Sequence, residues 1–252
     1  MPRTLESYLS ALLEKRHWKA LLSIILNCRR PFNFISRYLF QKGNYPHDVI
    51  IKRHQNNIVK ITTYSWHDIL TVNEIFFRED YYTPPNSSVI VDIGGNIGVS
   101  ALYFLSQANC RVYIYEPVPS NLEKLHRNIE QYVAQCEVYP VAIGITDGVC
   151  SFGIEATGRY GGINLNTGTM IDVQTVSIVQ ELTRILELHD HIDVLKIDIE
   201  NLELELLQAL DASILKKIRY IHVEFNDELN FLNKHFAISK RGMVYSLKNT
   251  LY

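Results

Sequence analysis

The chain has 252 residues, 47% hydrophobic and 21% charged, with 25 Lys or Arg against 27 Asp or Glu for a net charge of -2. That composition supports a sizeable core without staples and excludes wholesale disorder, and a near-neutral chain has no global electrostatic footprint for nucleic acid. The four cysteines (Cys28, Cys110, Cys136 and Cys150) are scattered and form no C-x-x-C pair, which argues against a zinc site or disulfide framework and suits a reducing compartment.

Residues 1–44 predict two helices. Leu5, Leu9, Leu12 and Leu13 recur at helical spacing behind Thr4 as a cap. A second helix is expected from His17 to Cys28, stopped by Pro31. Arg29 and Arg30 would fall in its last turn, where cations suit the helix dipole. The apolar run from Ala20 to Leu26 is shorter than the about 20 residues a bilayer span needs. It lies too far in, without a small-residue cleavage site, for a signal peptide. The expectation is a cytoplasmic protein whose N-terminal helices serve as a cap, a homo-oligomer contact or a peripheral contact with a membrane.

A hairpin is expected over 47–64 around Gln55-Asn56-Asn57, and a helix from Asp68 to Arg78. Pro84-Pro85-Asn86 breaks the chain. The expected division is therefore 1–85, helices and hairpin, and 86–252, the main catalytic domain.

From Val89 the pattern changes. Val89-Ile90-Val91 is a short continuous apolar run that suits a strand buried on both faces. A helix follows over Val99–Leu105, a strand over Val112–Tyr115, a helix over Asn121–Tyr132 and a strand over Val138–Ile143. Asp147 to Gly168 reads as irregular. Then come a helix (Val179–Leu188), a strand (Val194–Ile197), a helix (Glu203–Leu210), a strand (Tyr220–Val223), and two strands, Phe236–Ser239 and Met243–Leu247, joined at Arg241-Gly242. Alternating strands and helices predict an α/β fold, a doubly wound, seven-stranded, mostly parallel sheet, with the closing hairpin supplying an antiparallel strand.

The most informative segment is Val91-Asp92-Ile93-Gly94-Gly95-Asn96-Ile97-Gly98, which follows a buried strand and opens a helix. A dinucleotide fingerprint would need glycine at position 93, where Ile stands, and a P-loop would need a terminal Gly-Lys-Ser/Thr. Asp92 at the strand end would repel a diphosphate but suits a cation. The next acid along the chain is Glu116, at the end of the second strand, where doubly wound sheets hold ribose hydroxyls through a carboxylate. A carboxylate, a glycine loop and a ribose anchor without a phosphate cradle fit S-adenosylmethionine, a nucleoside with a charged sulfonium and an amino-acid tail.

Together with Tyr115-Glu116-Pro117, Val141-Ala142-Ile143-Gly144 and Leu195-Lys196-Ile197-Asp198-Ile199-Glu200, this loop resembles the FkbM-type methyltransferases. These are class I, Rossmann-like S-adenosylmethionine-dependent enzymes, mostly O-methyltransferases of sugars, glycans and polyketides. The resemblance spans roughly residues 68–226. It implies that Asp92, Gly94, Gly95, Asn96 and Gly98 line the methionine end of the cofactor, that Glu116 binds its ribose, and that Val141 and Ala142 lie beside its adenine. The family usually continues Asp-x-Glu-Gly-Ala-Glu, whereas Glu200 is followed here by Asn201-Leu202-Glu203: the carboxylates are kept and the glycine is not.

Asp198, Glu200 and Glu203 follow one predicted strand and Glu224 and Asn226 the next, so all belong at the carboxyl ends of strands, where ligands bind in open α/β sheets. An alcohol must lose its proton as it attacks a methyl group, which calls for a base or a metal. Asp198, Glu200 and Glu224 are the candidate catalytic residues. Asp198, Glu224 and Asn226 are an alternative oxygen-ligand set for Mg²⁺ or Mn²⁺. His222, inside a strand, reads as a satisfied core residue, and Arg159-Tyr160 suits a phosphorylated or sugar substrate. The expected activity is O-methylation of a sugar hydroxyl, on a nucleotide-activated sugar or a surface glycan, in polysaccharide biosynthesis. O-methylation of a polyketide or other natural product is the alternative. The expected partner is a small molecule or glycan and not nucleic acid, since the basic stripe and the Asn/Asp-Pro-Pro-Tyr/Phe motif are both absent.

Overall fold

In the computed structural model the described residues are 15–53, 57–154, 161–163, 169–199, 202–225 and 229–252. The chain divides into two compact units, residues 1–80 and 81–252.

In the first unit, α1 (Lys15–Asn27) and α2 (Pro31–Phe40) precede an antiparallel hairpin, β1 (His47–Lys52) and β2 (Ile58–Thr63), and a further helix, α3 (Trp66–Val72). Pro31 starts a helix as well as ending one: it occupies the first position of α2, where no N–H is needed. Arg29 and Arg30 correspondingly lie beyond α1, and the Arg29 amide donates to the Ile50 carbonyl at 2.9 Å. The hairpin register pairs Val49 with Ile61 and Ile51 with Val59, all buried. Of the expected turn, Gln55 and Asn56 lie outside the described residues, as do Thr4 and the leucines of the first expected helix. α3 begins two residues earlier than expected because Ser65 and Asp68 form a capping box, and its end runs on into a π turn over Asn73–Phe77.

The second unit holds the seven-stranded sheet. Its strands are β3 (Val89–Ile93), β4 (Arg111–Tyr115), β5 (Cys136–Tyr139), β10 (Ile192–Ile197), β11 (Ile218–Glu224), β12 (Phe236–Arg241) and β13 (Val244–Asn249). They lie in the order β12-β13-β11-β10-β3-β4-β5. The parallel pairs are β11 with β10, β10 with β3, β3 with β4, and β4 with β5, while β13 runs antiparallel to both its neighbours. This is the expected doubly wound, seven-stranded, mostly parallel sheet, with its switch point between β3 and β10. α4 (Val99–Gln107) and α5 (Pro119–Asn128) make the first crossovers. α6 (Ile178–Leu188) precedes β10, and α7 (Glu203–Ala209) and α8 (Ala212–Leu215) lead into β11.

The two faces of the sheet differ. One core cluster joins Val91, Ile93, Leu195, Ile197, Ile221 and Val223 to side chains of α6, α7 and α8. Between those rows, the cross-strand register aligns Asp92, Lys196, His222 and Ser246. Residues in register share a face, so the opposite face carries a polar row through a sheet that otherwise reads as apolar.

Two expectations need correction. The strand expected over Val138–Ile143 is split: β5 ends at Tyr139, and β6 (Ala142–Gly144) belongs to another sheet. Pro140 lies between them and has no N–H with which to continue a ladder. The stretch from Asp147 to Gly168, read as irregular, contains β7 (Gly148–Ile154) and β8 (Gly161–Ile163), which with β6 and β9 (Thr169–Ser177) form a four-stranded sheet of order β6-β9-β7-β8. The inward positions of β9 are Val173, Thr175 and Ser177, and the two hydroxyls hide the period-2 signal.

Candidate active site

The glycine loop leaves β3 and folds over the neighbouring strands. The amides of Gly94 and Gly95 both donate to the Tyr115 carbonyl at 3.0 Å, and the Asp198 amide donates to the Ile93 carbonyl at 3.1 Å. Gly94 is left-handed, with φ of 82°, and a Cβ there would run into the Asp198 carbonyl. No other residue meets both demands. Asn96 also has a positive φ, 47°, which asparagine tolerates. This conformation turns its amide toward Glu116, which accepts from it at 2.8 Å.

Glu116 is 5% exposed. Besides Asn96 it accepts from the Val118 amide at 3.0 Å and the Asn121 side-chain amide at 3.3 Å. Burial pushes its pKa above the ordinary glutamate value, and these donors offset only part of that rise. The carboxylate ties the loop after β3 to the first turn of α5. Beside it, Val118 and Ala142 share a small apolar cluster with Phe152 and Val173, while Val141 packs against the main core.

Asp92 is fully buried. One oxygen accepts from the Ser100 hydroxyl at 2.6 Å, and the other lies 3.0 Å from the Lys196 ammonium. Lys196 also donates to the Gly94 carbonyl at 2.7 Å and sits 3.3 Å from Asp198. Burial acts to lower the Lys196 pKa, but the carboxylates of Asp92 and Asp198 more than reverse it and leave it above the ordinary lysine value. The ammonium is thus a permanent charge under the loop, held by one closed carboxylate and one whose side chain is 43% exposed.

At the end of β11, Glu224 accepts from the Tyr81 hydroxyl at 3.1 Å. Tyr81 is buried, and burial, followed by the charges of Asp198 and Glu224, raises its pKa well above the usual phenol value. It remains a protonated donor. Its ring packs 5.6 Å from that of His222. His222 is a satisfied core residue: Nε2 lies 2.6 Å from the Tyr82 carbonyl and Nδ1 2.9 Å from the Ser246 hydroxyl. A carbonyl only accepts, so Nε2 carries the proton and Nδ1 accepts. Burial lowers the pKa of this imidazole to about 4.

The described strand ends therefore bring Asp92, Asp198 and Glu224 together around Lys196 and Tyr81, with Glu116 across the loop. Glu203 opens α7. Glu200, Asn226, Arg159 and Tyr160 lie outside the described residues. Among the described residues no group of three or more His, Cys, Asp or Glu side chains is placed to hold a metal ion. Asp198 already faces the Lys196 ammonium, and Glu224 holds the Tyr81 hydroxyl. Two of the three expected donors are thus already engaged, the third, Asn226, lies outside the described residues, and the expectation of Mg²⁺ or Mn²⁺ gains no support.

Sequence reasoning gave no role to Lys196, Ser100 or Tyr81. Lys196 had a signal: a lysine between Leu195 and Ile197 in a doubly buried strand needs an anionic partner, and Asp92 and Asp198 are the nearest acids in the two motifs. Tyr81 had none, because only the fold brings it to β11.

The FkbM methyltransferase domain matches residues 92–241. The AMB antimetabolite synthetase AmbE of Pseudomonas aeruginosa is 28% identical over 207 residues, covering 66% of this chain and 10% of AmbE. The hexuronic acid methyltransferase AglP of Haloferax volcanii is 29% identical over 140 residues, covering 55% of this chain and 56% of AglP. The chain thus spans a tenth of one curated relative and just over half of the other. Among solved structures, an rRNA methylase from Streptococcus thermophilus superposes with a TM-score of 0.37 at 10% identity, over 65% of this chain and 87% of that one. The domain match covers more than half of the chain, from the aspartate that precedes the glycine loop to the last residue of β12, and the chain belongs to the FkbM methyltransferase family.

Proposed function

We propose that this protein is an S-adenosylmethionine-dependent O-methyltransferase that methylates a sugar hydroxyl, on a nucleotide-activated sugar or a surface glycan. The observation that carries the reading is the half-open Asp198 carboxylate at the switch point of the sheet, next to the glycine loop. Its family and the likeness to AglP, named for hexuronic acid methylation, support the methyl-transfer chemistry and the sugar class. The likeness to AmbE favours, as a second reading, O-methylation of a natural product.

When bound, the cofactor supplies an electrophilic methyl group on a sulfonium. The chain supplies the rest. Gly94, Gly95, Asn96 and Gly98 form the loop over the methionine end, Asp92 anchors that loop from within β3 through Lys196, Glu116 orients the ribose, and Val141 and Ala142 border the adenine. Asp198 accepts the proton that the acceptor alcohol loses, in the manner of a general base. Lys196 fixes that carboxylate, and Glu224, oriented by Tyr81, holds the acceptor hydroxyl. Glu200 is assigned to the same acidic group.

The test is calorimetric titration with S-adenosylmethionine, followed by turnover on nucleotide sugars, oligosaccharides, natural-product alcohols and nucleic acids, with methylated product read by mass spectrometry. Product on a sugar oxygen is expected, and product only on nitrogen or nucleic acid overturns the reading. Glu116→Gln is expected to weaken cofactor binding at least about tenfold, since a charge-assisted contact is lost. With a raised pKa, Glu116 becomes protonated as pH falls through a value above the ordinary glutamate range. Wild-type affinity should drop across that window, and the variant should show no such step.

A further inference from the structure

The first unit carries an exposed apolar surface outside the residues assigned above to methyl transfer. α1 has two apolar faces. Ala20 and Ile24 are buried, whereas Trp18, Leu22, Ile25 and Leu26 are exposed, Leu26 by 66%. The spacings 18, 22, 25 and 26 put these four side chains on one stripe of about 100°, opposite the buried one. Just past the helix, Phe32 is 82% exposed. Single exposed apolar residues are ordinary, but a contiguous stripe marks a contact surface.

The surrounding charge selects the contact. Residues 15–47 contain seven Lys or Arg and no Asp or Glu, in a chain whose net charge is -2. Lys19, Arg29, Arg30 and Lys42 are exposed. A second copy of the chain meeting this face would set its own basic residues against these, which repels. A surface of lipid phosphates attracts them, while tryptophan and leucine enter the headgroup and acyl boundary. No described helix is long and apolar enough to cross a membrane, so the fitting geometry is a helix lying in the interface.

We propose that α1 docks this protein on an anionic membrane surface, with Trp18, Leu22, Ile25 and Leu26 entering the lipid and Lys19, Arg29 and Arg30 meeting its phosphates. This is independent of the acceptor proposed above. The test is flotation of the full chain with vesicles of phosphatidylcholine alone, or of phosphatidylcholine and phosphatidylglycerol at about three to one. Binding is expected on the anionic vesicles only, and should weaken as salt is raised. Leu22→Gln with Leu26→Gln should cut partitioning at least about tenfold, and so should Arg29→Glu with Arg30→Glu, at unchanged circular dichroism and cofactor affinity. Equal binding to neutral vesicles overturns the proposal, as does binding to neither. So does a leucine variant that turns a sedimenting dimer into a monomer while lipid binding stays the same, since the stripe would then belong to a second copy.

Discussion

Strand β10 has an aspartate cluster at each end, and the two clusters are built for different purposes. At the amino end, Asp193 is completely enclosed. It accepts from the Ser88 amide at 2.7 Å, the Ser88 hydroxyl at 3.1 Å and the Val89 amide at 3.0 Å, and pairs with Arg219 at 2.7 Å. At the carboxyl end, Lys196 is shared between Asp92, sealed inside, and Asp198, 43% exposed. The first cluster gives both Asp193 oxygens internal partners and fastens β10 to the start of β3. The second leaves one carboxylate facing outward beside the glycine loop. Both use buried charge, but the carboxylate is closed at the amino end and open at the carboxyl end. That division matches the rule that open α/β sheets bind ligands at the carboxyl ends of their strands.

Asp193→Ala tests the closed end and should have the largest effect. It leaves Arg219 and two amides without their acceptor, which costs about 3–5 kcal/mol, read as a lower midpoint in urea. Cofactor affinity of the folded protein should be unchanged. Burial pushes the Asp193 pKa up, but the Ser88 and Val89 amides and the nearby His191 outweigh it and hold it below the ordinary value. A depressed folded pKa means that this stabilisation is present above the ordinary aspartate pKa, about 4, and lost as pH falls through the lower folded value. Wild-type stability should fall in that acid window, and the variant should lose less there. A variant that kept its urea midpoint but lost cofactor binding would reverse the roles of the two ends.

Asp198→Asn tests the open end. More than a third of this side chain is exposed, and Lys196 keeps Asp92, so stability should change by less than about 1 kcal/mol. Turnover should drop about a hundredfold if the carboxylate takes the acceptor's proton, with a much smaller change in cofactor affinity. Full turnover in this variant would move the base to another residue.

What was legible in the sequence follows the same division. The parallel sheet could be read because its strands are continuous apolar runs, and the loop because glycine spacing and the acid after it constrain what fits. The carboxylates at 92, 198 and 224 were legible as residues at strand ends. Their state was not: that Asp92 is sealed and Asp198 open depends on Ser100 and Lys196, which come from α4 and a neighbouring strand. The four-stranded sheet was missed because hydroxyl residues fill inward positions of β9 and Pro140 cuts what looked like one strand. Pro31 was read only as a stop, because one proline can end one helix and begin the next.

Tyr81→Phe has the smallest expected effect and separates positioning from packing at the open end. The phenol is buried, stays protonated, and donates to Glu224 at 3.1 Å. Removing the oxygen keeps the ring against His222 and Phe104, so stability should fall by only about 1 kcal/mol, the net worth of one hydrogen bond. The loss falls on Glu224. A carboxylate that gives up a donor binds its proton more tightly, so the acid limb of turnover should move to higher pH, and turnover near neutrality should fall a few-fold. Cofactor affinity should hold, because the proposed cofactor contacts are Glu116 and the glycine loop, whereas Tyr81 is tied to Glu224, Phe104 and His222. If the pH profile of Tyr81→Phe overlays that of the wild type while the urea midpoint falls, Tyr81 is packing alone, and the open end reduces to Asp198 and Lys196. If the profile shifts, the comparison gains a term: at the closed end hydrogen bonds fasten strands together, and at the open end a buried hydroxyl sets how readily a neighbouring carboxylate takes up a proton.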